Sequence, residues 1–379
     1  MTTARTFLDI HVIQTVPPSN INRDDTGSPK TAVYGGVRRA RVSSQAWKRA
    51  TRKSFESTLD QSDLGERTKR VVELVAEKIT TQAPDLAERA TDIAGTVLKA
   101  GGIKLSPPRK GETLESGYLL FLSNLQADSL AATGVAAERE GTLDSLSKKA
   151  IGAIINAQNS IDLALFGRMV ADVSDLNVEA AAQVAHALSV HAVDNEFDYF
   201  TAVDDRKNAS ADEDAGAGMI GTVEFNSSTL YRYATVDVTG LLKNLGSAEA
   251  TERAVGAFVS SFVTSMPTGK QNTFANRTLP DAIVVLARED QPVSLVGAFE
   301  EPVEHEAGHS RVSAAAERLA THASEITAAY GTAPVQAWTT GVGARVAAVD
   351  TISPRVSFDV LVDGVRSYVA SRLTDPASA

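Results

Sequence analysis

Residues 30–53 read KTAVYGGVRRARVSSQAWKRATRK. This stretch carries eight Lys or Arg side chains and no Asp or Glu, although the whole chain has a formal net charge of −10. An acidic protein that concentrates positive charge in one window is expected to hold a polyanion there. The alternative is a basic helix face that only meets solvent, which is the commoner meaning of a charge run considered alone.

The order of residues within this stretch predicts its local structure. The Gly35-Gly36 pair predicts a tight turn, and VRRARV predicts a short extended segment. Ser43 is a good cap for a helix over SQAWKRATRKSF, on which Lys48 and Arg52 are one turn apart. A glycine turn, clustered arginines and an open helix N-terminus all favour bound phosphate.

The sequence around this stretch predicts a mixed α+β protein. Residues 6–16, TFLDIHVIQTV, predict a first strand, and residues 58–185 are alanine-rich with helical periodicity. The helices predicted there include one over NVEAAAQVAHALSVHAV at residues 177–193. Removing this insertion leaves the βαββαβ order of ferredoxin-like folds. We predict a first part at residues 1–57, a helical insertion at 58–185 and a second part at 186–379, with a β-hairpin at about 194–230.

Composition excludes several classes of site. The chain has no cysteine, so it has no disulfide framework and no thiolate metal site, as is typical of a reducing cytoplasm. Its N-terminus does not read as a signal peptide, and no apolar run approaches the roughly 20 residues that span a bilayer. We expect a cytoplasmic protein that does not bind membranes.

One motif points to different chemistry. Residues 305–309, HEAGH, formally match H-E-x-x-H, in which two histidines on one helix face bind zinc beside a glutamate base. Pro302 precedes the motif, Gly308 interrupts it, and the helical pattern begins only near Ser310. We therefore expect a surface loop, and we predict no catalytic residue, metal or cofactor. A zinc metallopeptidase built on His305, Glu306 and His309 is the runner-up, and an RRM-like metabolic enzyme is a third alternative.

Several blocks of the sequence resemble the CasC family, the backbone subunits of the type I-E CRISPR surveillance complex, Cascade. Residues 58–150 share little with that family beyond their helical character. The blocks are INRDD (21–25), YGGVRRARVSSQAWKRATRKS (34–54), SIDLALFGRM (160–169), VAHALSVHAVDNEFDYFTAVDD (184–205), EFNSSTLYRYATVDV (224–238) and MPTGKQNTFA (266–275).

The resemblance implies an architecture and a function. The fold would be a modified RRM (ferredoxin-like) palm with an inserted helical fingers lobe and a protruding β-hairpin thumb. Copies of the chain would polymerise along a CRISPR RNA, together with other Cascade subunits. The palm and fingers would grip the RNA backbone, and the thumb would displace nucleotides at regular intervals. The guide would then be presented in segments for pairing with target DNA, without catalysis by this chain.

The resemblance also implies contacts with RNA at particular residues. Met169 and Phe200 would lie against bases beside the displaced nucleotide, with Tyr199 as a neighbouring aromatic, and Lys270 belongs to the last matching block. The acidic loop ASADEDAGAG (209–218) is longer than the family pattern, so the contacts of the thumb tip stay open. The residues on the family's RNA-backbone motif are Arg23, Lys30, Arg39, Arg41, Ser43, Gln45, Lys48 and Arg52.

Overall fold

A large antiparallel sheet organises the chain. The computed structural model describes residues 5–170, 172–202 and 219–374, and the bounds below refer to those residues. The predicted tip of the hairpin, residues 204–218, lies outside them.

The strands are β1 (Phe7–Ser19), β2 (Thr31–Tyr34), β3 (Val37–Val42), β4 (Gly65–Thr68), β5 (Leu105–Ser106), β6 (Glu115–Ser116), β7 (Leu120–Ser123), β8 (Ala182–Val184), β9 (Ala187–Ser189), β10 (Glu196–Ala202), β11 (Met219–Asp237), β12 (Ala282–Arg288) and β13 (Gln336–Gly341). The α-helices are α1 (Ser44–Phe55), α2 (Val71–Gln82), α3 (Ala90–Ala100), α4 (Asn124–Glu140), α5 (Lys148–Asn156), α6 (Ile161–Phe166), α7 (Val238–Leu245), α8 (Ala248–Thr264), α9 (Gln271–Phe274), α10 (Arg311–Tyr330) and α11 (Phe358–Thr374). Short 3-10 helices cover Gln61–Asp63, Pro84–Arg89, Leu143–Ser145, Ser174–Leu176, Val296–Phe299 and Ala344–Thr351.

The main sheet has the strand order β13-β12-β1-β11-β9-β3-β2, with β8 and β10 also paired to β11. Strand β1, the third in this order, runs antiparallel to both of its neighbours, β12 and β11. Helix α1 follows β3, and α8 lies between β11 and β12 in the chain. The predicted α+β class is confirmed.

Both faces of β1 are buried, and its apolar residues alternate with the buried polar residues Asp9, His11 and Gln14. Leu8 and Ile10 point to the face covered by α1, α8 and α11, where Trp47 and Phe258 belong to the same core. Ile13 points to the opposite face, which α10 covers. Each side of the sheet is therefore packed, and polar surface for a ligand has to come from edges, helix faces and loops.

The helical insertion has a hydrophobic core of its own. Side chains between Val71 and Leu176 form this second core, which includes Val75, Ile93 and Leu130. By contrast, Ile161 in α6 belongs to the core of the main sheet. We call the part built around the second core the helical lobe. Helix α6 and the loop after it therefore lie where the lobe joins the sheet.

The helix predicted over residues 177–193 is wrong, because this segment forms β8 and β9. Strand β8 pairs with β11, and β9 pairs with both β11 and β3. Burial alternates along β8, with Ala182 and Val184 buried and Gln183 exposed. Backbone pairing with a long neighbouring strand outweighs alanine's intrinsic preference for helix, which is a weak preference in tertiary context.

Candidate nucleic-acid interface

Helix α1 is fixed in place by its inward face. Trp47, Thr51 and Phe55 are buried, and the Arg232 guanidinium stacks 3.7 Å from the centre of the Trp47 ring. The opposite face carries Gln45, Lys48, Arg49, Arg52 and Lys53. The predicted spacing therefore does present a row of cations from a rigid helix.

The N-terminus of α1 is capped by Ser43, as its sequence predicts, whereas the same terminus was also predicted to be open to phosphate. The Ser43 hydroxyl accepts from the Ala46 N–H at 3.4 Å, and Ser43 itself is buried. His186 Nδ1 accepts from the Ser44 N–H at 2.9 Å. Burial, and then the charges of Arg41 and Lys30, lower the pKa of His186, which keeps the imidazole neutral and able to accept. Ser43 therefore acts as a cap through its hydroxyl oxygen, which leaves the hydroxyl proton available as a donor, and its predicted contact with RNA stays a prediction.

A cleft of about 680 Å³ separates α1 from the helical lobe, and we call it the lobe cleft. Among the described residues that line it there is no Asp or Glu. Lys48 is half-buried there, and burial lowers its pKa. The Arg52 guanidinium lies 5.7 Å from the centre of the Phe121 ring. The residues that line the lobe cleft include Gln45, Lys48, Arg52, Arg67, Phe121 and Met169.

A second cleft, of about 1080 Å³, lies on the other side of α1, between residues 21–27 and 265–277. We call it the loop cleft. Gln45 and Arg49 line both clefts. The carboxylate of Asp24 is engaged in its own turn, where it accepts from the Thr26 hydroxyl and from the Ser28 N–H. The cations that line the loop cleft are Arg23, Arg49, Lys53, Lys270 and Arg277.

Arg39, predicted to contact RNA phosphate, lies in the interior of the described structure. The side chain has no exposed surface. Its guanidinium donates to the carbonyl oxygens of Ser189, Phe299 and Glu300 at 3.0 Å each, and to that of Tyr34 at 3.2 Å. Successive strand residues point to opposite faces, so Arg38 is exposed while Arg39 points inward. Through these bonds, the buried Arg39 side chain holds the β2–β3 hairpin against Ser189 and residues 299–300.

Lys30 and Arg41 lie beside the N-terminus of α1 rather than in either cleft. The Arg41 N–H donates to the Lys30 carbonyl at 2.9 Å, so the two residues are neighbours across the β2–β3 pair. Both are partly exposed. Their charges act on His186, which places them next to the cap. They extend the basic surface of α1 toward the sheet edge.

Three apolar or aromatic residues predicted to meet bases fall in two different places. Met169 lines the lobe cleft and is 83% exposed. Tyr199 and Phe200 lie on β10, on opposite faces of the β10–β11 hairpin, and they line neither cleft. The Phe200 ring covers Gly221 on the facing strand. The structure does not bring Met169 and Phe200 together within one chain.

The hairpin leaves the sheet close to the loop cleft. The Phe225 ring lies 5.8 Å from that of Phe274 in α9, the helix that Lys270 precedes. The Asn20 side-chain amide donates to the carbonyls of Gly27 and Glu224, both at 2.9 Å, and so ties the hairpin to the 21–27 loop. Arg23 and Lys270 are therefore carried by loops that pack at the hairpin base.

Comparison with known proteins identifies the family of this chain. Residues 8–363 match the family model described as CT1975-like protein. The chain belongs to the CT1975-like protein family. No curated protein matches it.

Two solved structures are similar to this CT1975-like chain over almost its whole length. One is a chain of a "CRISPR RNA-guided surveillance complex, pre-nicking", with 34% identity and a TM-score of 0.84, covering 96% of this chain and 100% of the other. The second is a chain of a "CRISPR RNA-guided surveillance complex", with 30% identity and a TM-score of 0.75, covering 96% of this chain and 99% of the other.

Sequence reasoning missed part of the lobe cleft in this CT1975-like chain. Arg67 lies in β4 and Phe121 in β7, two paired strands of the insertion, where we predicted only helices. Short strands of four residues give too little periodicity to detect. Arg277 becomes a candidate ligand only through its position beside Lys270 in the loop cleft.

The HEAGH pentapeptide does not form a zinc-binding helix. Glu306 and His309 form an isolated antiparallel bridge across a turn, and Gly308 has φ +82°. Helix α10 begins only at Arg311. Within residues 5–170, 172–202 and 219–374, no cluster of three or more His, Cys, Asp or Glu is placed to hold a metal ion. In the same part of the chain, no helix is both long and apolar enough to cross a membrane.

Proposed function

We propose that this chain is the CRISPR-RNA-binding backbone subunit of a type I-E Cascade surveillance complex. It polymerises along the guide RNA and carries out no catalysis. The family match and the printed descriptions of the two similar structures support an RNA-guided complex as its setting. The partners in this proposal are CRISPR RNA, other copies of the chain, other Cascade subunits in the cytoplasm, and target DNA paired to the guide.

The observation that carries the proposal is the composition of the lobe cleft. Gln45, Lys48 and Arg52 meet Met169, more than 100 residues away in sequence, in a cleft whose described lining has no carboxylate. Binding that does not depend on sequence needs cations for phosphates and apolar or aromatic surfaces for bases. The lobe cleft offers both, and the loop cleft extends the cationic surface to the other side of α1.

The sheet order supports assignment of an RRM-like palm. Strands β12, β1, β11 and β9 are adjacent in that order. Helix α1 falls between β1 and β9 in the chain, and α8 falls between β11 and β12. This order supports the proposed ferredoxin-like palm with an insertion after α1. In the proposal the helical lobe is the fingers and the β10–β11 hairpin is the thumb, which reaches a neighbouring copy and displaces a nucleotide with Phe200.

The first test is retention of RNA by the purified complex. Lys48→Glu/Arg52→Glu places two negative charges in the lobe cleft and should strongly reduce co-purified guide RNA. A matched control is Lys99→Glu/Lys149→Glu, which makes the same change in charge at two exposed lysines of the helical lobe that line neither cleft. Equal RNA content in both variants would reject the lobe cleft as the binding site.

A second measurement separates phosphate contacts from indirect effects. Each lost phosphate contact on single-stranded RNA should flatten the slope of log affinity against log salt by about 0.7. Arg52→Met should therefore change the slope by that amount. A wild-type chain that carries no nuclease-sensitive RNA and does not assemble with itself would refute the function as a whole.

A further inference from the structure

Met169 has an unusual position between its neighbours. Its side chain is 83% exposed, whereas those of Arg168 and Val170 are 3% and 1% exposed. A single large apolar side chain thus stands out from a segment whose adjacent side chains are anchored in the interior. Methionine has three rotatable bonds, so it cannot act as a firm wedge unless its backbone is held.

The Arg168 guanidinium joins this segment to four elements of the helical lobe. Its Nε donates to the Leu176 carbonyl at 2.6 Å, and Nη1 donates to the Phe121 carbonyl at 3.2 Å. Its Nη2 donates to the Ile155 carbonyl at 3.0 Å and to Asn156 Oδ1 at 2.9 Å. These acceptors belong to a 3-10 turn, to β7 and to the end of α5, and Gln126 Oε1 in α4 lies 3.3 Å from Nη1.

Only arginine can make this set of bonds. A guanidinium offers five N–H donors in a fixed plane, whereas a lysine ammonium offers three on a flexible stem. No carboxylate within the described residues pairs with Arg168; all these acceptors are uncharged. Arg168 therefore links several segments of the helical lobe by hydrogen bonds and does not form an ion pair.

The backbone of the segment is pinned independently. Arg168 and Val178 exchange two backbone hydrogen bonds of 2.9 Å, and the Val170 N–H donates to Asn177 Oδ1 at 2.6 Å. Gly167 has φ +76°, and a Cβ added there would lie 2.8 Å from the Val178 oxygen. Bonds on both sides of Met169 thus hold its Cα in one place at the edge of the lobe cleft.

We propose that Arg168 is a positioning residue that fixes Met169 as a rigid wedge against the bases of the bound RNA. The inference rests on the proposed function, because it requires RNA in the lobe cleft. Arg168 does not touch the RNA in this account. It ties the segment that carries Met169 to the helical lobe. The distance between Met169 and the basic face of α1 is therefore fixed by the packing of that lobe.

The test compares complexes purified with guide RNA. The variants are Met169→Ala, which removes the wedge, Arg168→Lys, which keeps the charge but not the planar fork, and Asn177→Ala, which frees one side of the same loop at an exposed position. Two quantities are measured: the amount of RNA retained, and the chemical reactivity of each nucleotide in the bound guide. We expect Arg168→Lys and Asn177→Ala to retain RNA within about twofold of wild type, because the phosphate contacts remain. Met169→Ala also removes an apolar contact with the bases and should retain less RNA than these two variants.

The periodic pattern of nucleotide reactivity should be lost in Met169→Ala and Arg168→Lys, and weakened in Asn177→Ala. Arg288→Lys is the matched control, because Arg288 is equally buried but pairs with Asp9 beside the opposite core. It should lower stability and leave the pattern intact.

Two results would overturn the inference while leaving the proposed function standing. One is an unchanged pattern in Arg168→Lys when Met169→Ala has lost it. The other is loss of the pattern in Arg288→Lys as well, which would indicate a general structural effect. If Arg168→Lys does not fold, the test depends on Asn177→Ala. A wild-type pattern of nucleotide reactivity in Asn177→Ala would then reject the proposal. Absence of RNA from the wild-type protein would instead show that the proposed function itself is wrong.

Discussion

Replacement of Arg39 by methionine tests the largest difference between sequence and structure. Arg39→Met keeps most of the side-chain volume but removes the charge and every donor. If Arg39 held a phosphate, the change would affect RNA binding and leave the fold intact. Because Arg39 is buried and donates to four backbone carbonyls, we expect the reverse.

The expected loss of unfolding free energy follows from the carbonyl acceptors that lose their donor in Arg39→Met. The bonds to Ser189 and Phe299 are fully buried, whereas those to Tyr34 and Glu300 are partly buried and can be replaced by water. A buried acceptor without a partner costs about 1–3 kcal/mol, so two of them give roughly 2–6 kcal/mol of lost unfolding free energy. Arg38→Met, at the exposed neighbouring position, should stay within about 0.5 kcal/mol of wild type.

Urea unfolding followed by tryptophan fluorescence measures this difference. The chain has two tryptophans, and Trp47 is fully buried in α1, so the signal reports the part of the fold that Arg39 braces. RNA affinity is measured separately as a function of salt, at a temperature where the variant is folded. A wild-type unfolding midpoint, together with a salt slope flattened by about 0.7, would show that Arg39 contacts phosphate and refute the structural assignment.

Two further predictions concern the β2–β3 turn and the buried face of the sheet. Gly35→Ala should lower the unfolding free energy, measured with urea, by at least about 1 kcal/mol more than Gly36→Ala does. Both glycines have positive φ, but only a Cβ at Gly35 would collide with the Glu300 carbonyl oxygen, at 1.7 Å. Equal effects of the two substitutions would argue against this packing. Burial, and then the charge of Arg288, lower the pKa of His11 to about 3, so between pH 6.5 and 3 the unfolded chain takes up a proton that the folded chain does not. Acidification from pH 6 to 5 should therefore lower the unfolding free energy by up to about 1.4 kcal/mol more in wild type than in His11→Phe, and parallel pH curves would contradict a neutral buried His11.

The strongest sequence signals were those set by local pattern. The alternating, β-branched sequence of β1 and the cap and periodicity of α1 follow from neighbouring residues, and the structure has each of these elements. Lys48 and Arg52 could be placed on one side of α1 for the same reason. Helical spacing decides which side chains share a face before any tertiary contact is known.

The orientation of Arg39 could not be predicted in this way. VRRARV has polar residues on both faces of a six-residue strand, so alternation alone does not show which arginine points inward. The deciding acceptors, Ser189 and Phe299, are 150 and 260 residues away in sequence. For the same reason the alanine-rich segment at residues 177–193 looked helical, since its pairing with β11 is invisible locally.

Two buried arginines, Arg168 at the lobe cleft and Arg232 behind α1, have neutral partners. Arg168 and Arg232 are solvated by neutral oxygens, and no carboxylate among the described residues pairs with either. Burial lowers the pKa of Arg168 to about 10 and that of Arg232 to about 9, so both remain charged at neutral pH. Arg288, which belongs to the other side of the sheet, instead pairs with Asp9. A carboxylate beside Arg168 or Arg232 would stabilise the guanidinium but cancel its field. Carbonyl and amide oxygens accept from both guanidinium groups, although Arg232 Nε has no partner, and they leave each positive charge uncompensated. In the proposed function, that charge would act on the RNA beside α1.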